Sequence, residues 1–168
     1  MKRPKSKKPD AQAPEAPQAR RVALDLLARR EHSTSELRRK LRARGVEDTD
    51  AEEALQRLSH ERLQSDARYA EVYAESRATR GYGPVRIAAE LRERGVAPEL
   101  IARCVEPDGA QWAARARDAR CKRFGAVIPR DLKERARQVR FLQYRGFTHE
   151  QIHCVLKADA QVADDLRQ

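Results

Sequence analysis

One helix-and-glycine pattern recurs three times along this chain of 168 residues and restricts its possible folds more than any other feature. Residues 35–46 read SELRRKLRARGV, residues 85–96 read VRIAAELRERGV, and residues 138–147 carry a looser copy, QVRFLQYRGF. Each copy closes on an Arg-Gly-apolar tripeptide: Arg44-Gly45-Val46, Arg94-Gly95-Val96 and Arg145-Gly146-Phe147. Leu41, Leu91 and Leu142 stand four residues before the glycines. Apolar or small residues follow at matched offsets, as Ala51/Ile101/Ile152, Ala54/Cys104/Val155 and Leu55/Val105/Leu156. Agreement at so many offsets marks an internal repeat of about fifty residues, the signature of an array of supersecondary units.

Each unit reads as three helices. Leu37 and Leu41, like Ile87 and Leu91, share one helical face at i, i+4 spacing. The glycine supplies a left-handed terminator, the preceding Arg complements the negative end of the helix dipole, and the following apolar residue folds back on the last turn. Thr49-x-x-Glu52, Pro98-Glu99 and Thr148-x-x-Gln151 predict the starts of the third helices. First helices are expected over residues 20–30, 66–79 and 110–124, with Ser33-x-x-Glu36 and Gly81-Tyr82-Gly83-Pro84 opening the second helices of the first two units. Four prolines in the first 17 residues, among Lys, Ala and Gln, predict a disordered basic arm. The expected organisation is an arm over 1–19, repeats over 20–65, 66–108 and 109–158, and a tail over 159–168. The fold class is all-α: three tandem three-helix repeats in an elongated, curved array, since units with so thin a core must lean on their neighbours.

Composition closes several alternatives. No run approaches the roughly 18 apolar residues of a membrane span. The Val/Ile runs and Gly-rich turns of an α/β enzyme are missing. Three scattered cysteines, Cys104, Cys121 and Cys154, without a secretory segment argue against a disulfide scaffold and for small core residues in a cytoplasmic protein. The formal charge is +10, and residues 21–168 alone still carry +6, so basicity is a property of the body and not only of the arm. Of the 36 basic residues 28 are Arg, whose planar fork suits phosphate and carboxylate.

The sharpest enzyme-like motif is His149-Glu150-Gln151-Ile152-His153, which matches the H-E-x-x-H of zinc proteases. The repeat explains it more simply, because Glu150 aligns with Glu99 and Ile152 with the core position of Ile101. A third ligand is not in place: Leu156 and Asp159 occupy the positions where an extended signature needs Gly and His. No C-x-x-C pair, Gly-rich phosphate loop or G-x-S-x-G elbow is found. The sequence therefore predicts no enzyme, no catalytic or metal site and no cofactor.

Binding residues are sought on the polar faces of the second helices. Arg38, Arg39 and Arg42 face away from Leu37 and Leu41; Arg86 and Arg92 lie in the second copy; Arg135, Arg137 and Arg140 cluster in the third. These eight are the candidate filament- or phosphate-binding residues. Reversing Arg38, Arg39 and Arg42 to Glu is expected to weaken binding while leaving helical content unchanged. Most aromatics sit at core spacings, and only Tyr82 and Tyr144 look free to stack on bases, so single-stranded DNA binding should be weak and salt-dependent.

With these repeats in view, the sequence resembles the RecX family of bacterial regulators of the recombinase RecA, over about residues 21 to 158. The most specific stretch is 58–96, where Leu63-Gln64-Ser65-Asp66-Ala67-Arg68-Tyr69-Ala70 leads into Arg77, Gly83, Arg86-Ile87, Glu90-Leu91 and Arg94-Gly95-Val96. Ser65 and Ala67 depart from the family, many members of which have a second acidic residue beside Asp66. The resemblance implies a non-enzymatic monomer, acting in DNA repair and the SOS response. Such a protein lies in the groove of the RecA–single-stranded DNA filament and inhibits strand exchange, ATP hydrolysis and filament extension. A direct nucleic-acid-binding helical module is the alternative, because paired helices around a Gly turn also resemble helix-turn-helix units.

Overall fold

The computed structural model describes residues 16–106, 111–126 and 131–165, with side chains described over 17–106, 111–126 and 131–157. These residues form nine α-helices and no strand, the all-α class the repeats predict. They divide into two compact units, residues 1–65 and 66–168.

The first unit contains α1 (Ala16–Leu27), α2 (Thr34–Arg42) and α3 (Asp48–His60). α1 begins four residues before the boundary expected for the arm, with Pro17 in its first turn where a missing N–H costs nothing. The remainder of the arm lies outside the described residues. Ser33 caps α2, its Oγ accepting from the Glu36 N–H at 3.1 Å. Buried alanines on α1 and α3 (Ala19 and Ala23, Ala51 and Ala54) let these helices approach closely around Leu37, Leu41, Leu55 and Leu58. α3 corrects one expectation. Its N-cap is Glu47, without a side-chain cap, so Thr49 lies inside the helix and the Thr49–Glu52 box does not open it.

The second unit holds α4 (Asp66–Thr79), α5 (Pro84–Glu93), α6 (Pro98–Cys104), α7 (Gln111–Phe124), α8 (Leu132–Arg145) and α9 (His149–Asp165). Two repeats thus share one unit and one continuous core, running from Tyr69, Ile87 and Leu91 through Trp112 to Leu142, Phe147 and Ile152. α9 continues as helix through most of the segment expected to be a tail.

The repeated tripeptides form the same C-terminal motif each time. Gly45, Gly95 and Gly146 have φ of 78°, 73° and 88°. Their N–H groups donate to Arg42, Arg92 and Gln143, and the next residue's N–H returns to Leu41, Leu91 or Leu142 at 3.2 Å. This pairing satisfies carbonyls that the helix itself leaves open. The leucines at its base are fully buried, and Val46, Val96 and Phe147 are 4% exposed. Arg44 and Arg94 then donate to the carbonyls of Lys40 and Glu90, one turn back.

α8 and α5 join end to end. The Gly83 N–H donates to the Arg145 carbonyl at 2.8 Å, and the Val85 N–H to the Gly146 carbonyl at 3.0 Å. Pro84, between them, has no N–H to place. Orphan donors at one helix start thereby meet orphan acceptors at another helix end. Side chains brace the joint: Arg86 donates to the Tyr144 carbonyl and Arg145 to the Arg80 carbonyl, each at 3.2 Å.

Candidate functional site

The eight candidate arginines separate into two sets. Arg38 reaches across to Glu52 on α3, and Arg42 forks onto Asp48 at 2.8 and 2.9 Å. Arg86 holds Glu90 at 3.1 Å, and Arg137 holds Glu134 at 3.3 Å. The first two pairs link α2 to α3, and the other two lie within α5 and α8. Arg39, Arg92, Arg135 and Arg140 are exposed and form no ion pair among the described residues. The expected triple reversal of Arg38, Arg39 and Arg42 is corrected on this point: Glu at 38 and 42 would face Glu52 and Asp48, so it would disturb the fold as well as a binding surface.

The residues behind the family resemblance assemble into one network in the second unit. Arg77 on α4 grips both oxygens of Glu90 on α5, and Tyr73 donates its hydroxyl to Glu90 Oε2 at 2.7 Å. The pair is well shielded, with side chains 17% and 16% exposed. Burial works to raise the Glu90 pKa, but donors from Arg77, Tyr73 and Arg86 outweigh it and hold the carboxyl below its ordinary 4.5. Burial, with the Glu90 hydrogen bond, pushes the Tyr73 phenol up to about 12. Tyr82 lies under the guanidinium of Arg77 at 3.7 Å, with those of Arg86 and Arg145 each at 4.8 Å from its ring centre. The expectation that Tyr82 is free to stack on bases is therefore corrected: cations already surround its ring. Tyr144 remains 74% exposed, with Arg86 5.1 Å from its ring centre.

The H-E-x-x-H residues occupy the first turns of α9. Thr148 and Gln151 exchange hydrogen bonds of 3.0 and 3.3 Å in a capping box, and Ile152 is buried in the core. His149 and His153 are exposed, with ring centres 6.5 Å apart. Among the described residues no group of three or more His, Cys, Asp and Glu converges on a point that could hold a metal. Cys104 packs half-buried against the core, and burial pushes its thiol pKa up. Cys154 is exposed, so it does not belong to the core as its position in the repeat suggested. No described helix is long and apolar enough to cross a membrane.

Sequence reasoning missed a buried polar pair. Where the first two repeats bury Leu37 and Ile87, the third buries Gln138, whose Oε1 accepts from the buried Arg120 at 3.4 Å. The break in the apolar pattern at Gln138 was the available signal, but its partner lies on α7, outside the aligned segment.

Comparison with known proteins agrees along the chain's length. Family models described as the first, second and third three-helix domains of RecX match residues 19–58, 65–104 and 110–156. The chain is 47% identical over 146 residues to "Regulatory protein RecX" of Halorhodospira halophila, covering 87% of this chain and 88% of that protein. It is 47% identical over 137 residues to the protein of the same name from Pseudomonas fluorescens, covering 82% and 88%. Among solved structures it matches "Crystal structure of RecX from Lactobacillus salivarius" with a TM-score of 0.75 at 17% identity, covering 87% of this chain and 97% of that one.

Proposed function

The chain belongs to the RecX family of regulatory proteins, and from that membership we propose that it is a non-enzymatic, cytoplasmic regulator of RecA. In this reading it acts as a monomer, binds the RecA–single-stranded DNA filament along its groove, and inhibits strand exchange, ATP hydrolysis and filament extension. The observation that carries the reading is the set of arginines the fold leaves unneutralised: Arg39, Arg92, Arg135 and Arg140 are exposed cations available to phosphate or carboxylate. Their counterparts Arg38, Arg42, Arg86 and Arg137 are each paired with a carboxylate.

The test is RecA ATP hydrolysis on single-stranded DNA with rising amounts of this protein, beside its binding to naked DNA at the same salt. Inhibition at concentrations where naked DNA stays unbound supports the regulator. Tight, sequence-dependent duplex binding without any effect on RecA supports a direct DNA-binding module instead.

A further inference from the structure

We propose that a groove bounded by α4, α7 and α8 in the second unit binds the phosphodiester backbone of a single-stranded nucleic acid. The proposal deepens the filament reading and rests on it for the strand's biological setting, but the site is argued from its own geometry. The groove encloses about 550 Å³ and is lined by Arg80, Arg115, Lys122, Arg123, Phe141 and Arg145. Its carboxylates are Glu75 and Asp118. Arg115 holds Glu75 at 2.8 Å and, through that bond, keeps its carboxyl pKa below 4.5. Arg80, Lys122, Arg123 and Arg145 therefore face Asp118 alone, and the groove carries a marked positive excess.

Sequence spacing builds this surface. Arg115, Asp118, Lys122 and Arg123 fall on one stripe of α7, three, four and one residues apart. Ala78, Gly81 and Ala119 form a floor of small residues, so the cleft stays open beneath long cationic side chains. A Cβ on Gly81 would already stand 3.2 Å from that of Ala119. Arg80, Lys122 and Arg123 are exposed and make no ion pair among the described residues. None of the eight arginines on the second helices lines the groove, whose central cations stand on α7, a first helix.

Guanidinium forks bind phosphate and carboxylate alike, so one other feature favours a nucleic-acid strand over an acidic peptide. That feature is an exposed ring, Tyr144, three residues along α8 from Phe141, which lines the groove packed edge-on against Phe124. Single-strand binders combine a cationic track with such stacking surfaces. A cleft of this volume has the size of a small-ligand site and admits a few nucleotides of one strand, not a duplex.

The test measures anisotropy of a short fluorescein-labelled oligothymidylate over a salt series, with the full chain and without RecA. K122E/R123E is compared with R21E/R29E, which changes the formal charge equally at exposed positions of the first unit. K122E/R123E is expected to bind about tenfold more weakly, with a log–log salt slope shallower by about 1.4, at unchanged helical content by circular dichroism. R21E/R29E should lose much less. Equal losses in the two variants, or none in K122E/R123E, would overturn the groove. So would displacement of the oligonucleotide by polyglutamate at a lower charge concentration than by unlabelled oligothymidylate, which would assign the groove to an acidic protein surface. Because RecA is absent, failure of the groove leaves the regulator reading intact, and failure to inhibit RecA leaves the groove standing.

Discussion

A methyl group on Gly83 would stand 2.4 Å from both the carbonyl carbon and the carbonyl oxygen of Gly146, so two repeats of the second unit meet backbone against backbone at this point. No side chain fits there. The converse also holds, because a Cβ on Gly146 would lie 2.4 Å from that of Arg86. Gly83 has ordinary extended dihedrals, φ −90° and ψ 169°, so only the close approach requires glycine.

The G83A variant is therefore expected to lose about 1–3 kcal/mol through forced separation of α5 and α8. Gly45 gives the contrasting case: its φ is 78°, yet a Cβ there would meet nothing within 4 Å. Backbone strain alone should cost G45A about 1–2 kcal/mol, and G45N, which tolerates the left-handed region, should recover part of it. G146N should recover nothing. Urea denaturation of the four variants checks this, with equal behaviour of G45N and G146N as the result that contradicts it.

Arg62 ends α3 as the glycines end the second helices. Its φ is 58°, its N–H donates to the Ser59 carbonyl at 2.9 Å, and the Leu63 N–H returns to Leu58 at 2.9 Å. It is the one non-glycine residue with positive φ among the described residues. Replacing it with glycine removes the Cβ clash but adds unfolded-state entropy, so R62G should gain about 0.5–1 kcal/mol. A lower denaturation midpoint would show that the arginine side chain outweighs its backbone strain.

The two units should respond to acid in different ranges. Glu90 has its pKa depressed on folding, so its stabilisation is present above pH 4.5 and is lost as the pH falls further. Burial lowers the His32 pKa below 6.5, and its Nε2 has no hydrogen-bond partner. The unfolded first unit therefore binds the proton more readily, and stability declines as the pH drops below 6.5. The single tryptophan, Trp112, lies in the second unit, so its fluorescence reports Glu90 and leaves His32 silent. Protection factors of the α2 amides should fall as the pH drops below 6.5 while Trp112 emission holds. E90Q should flatten the fluorescence response below pH 4.5. Simultaneous loss of both signals near pH 6 would refute the separation.

What was legible in the sequence was local. Leu41, Leu91 and Leu142 and their following glycines define the helix ends because the motif closes within six residues. Pro98 and the Thr148–Gln151 box mark helix starts for the same reason. What escaped was remote. Arg77 meets Glu90 from another helix, Arg38 meets Glu52 across a turn, and Gly83 meets Gly146 from the next repeat. A helical wheel places an arginine on a polar face, but whether a carboxylate is waiting there depends on packing. That is why the eight candidates divide into structural and unpaired residues only in three dimensions, and why the groove beside α7 was overlooked.

Arg92, Arg135 and Arg140 are exposed and unpaired among the described residues, so R92E/R135E/R140E should leave the thermal midpoint nearly unchanged. If these side chains face the filament, the same variant should need a markedly higher concentration to inhibit RecA ATP hydrolysis, because each reversal replaces an attraction with a repulsion. Arg77 supplies the opposite case. It is 17% exposed, and its carboxylate partner is equally shielded, so R77M should leave Glu90 with Arg86 and Tyr73 as its donors and lower stability. A double-mutant cycle of R77M with E90Q should return a coupling of about 1–3 kcal/mol, since the partners touch directly. Unaltered inhibition by the triple reversal, at full stability, would show that the filament-facing surface lies elsewhere on the molecule.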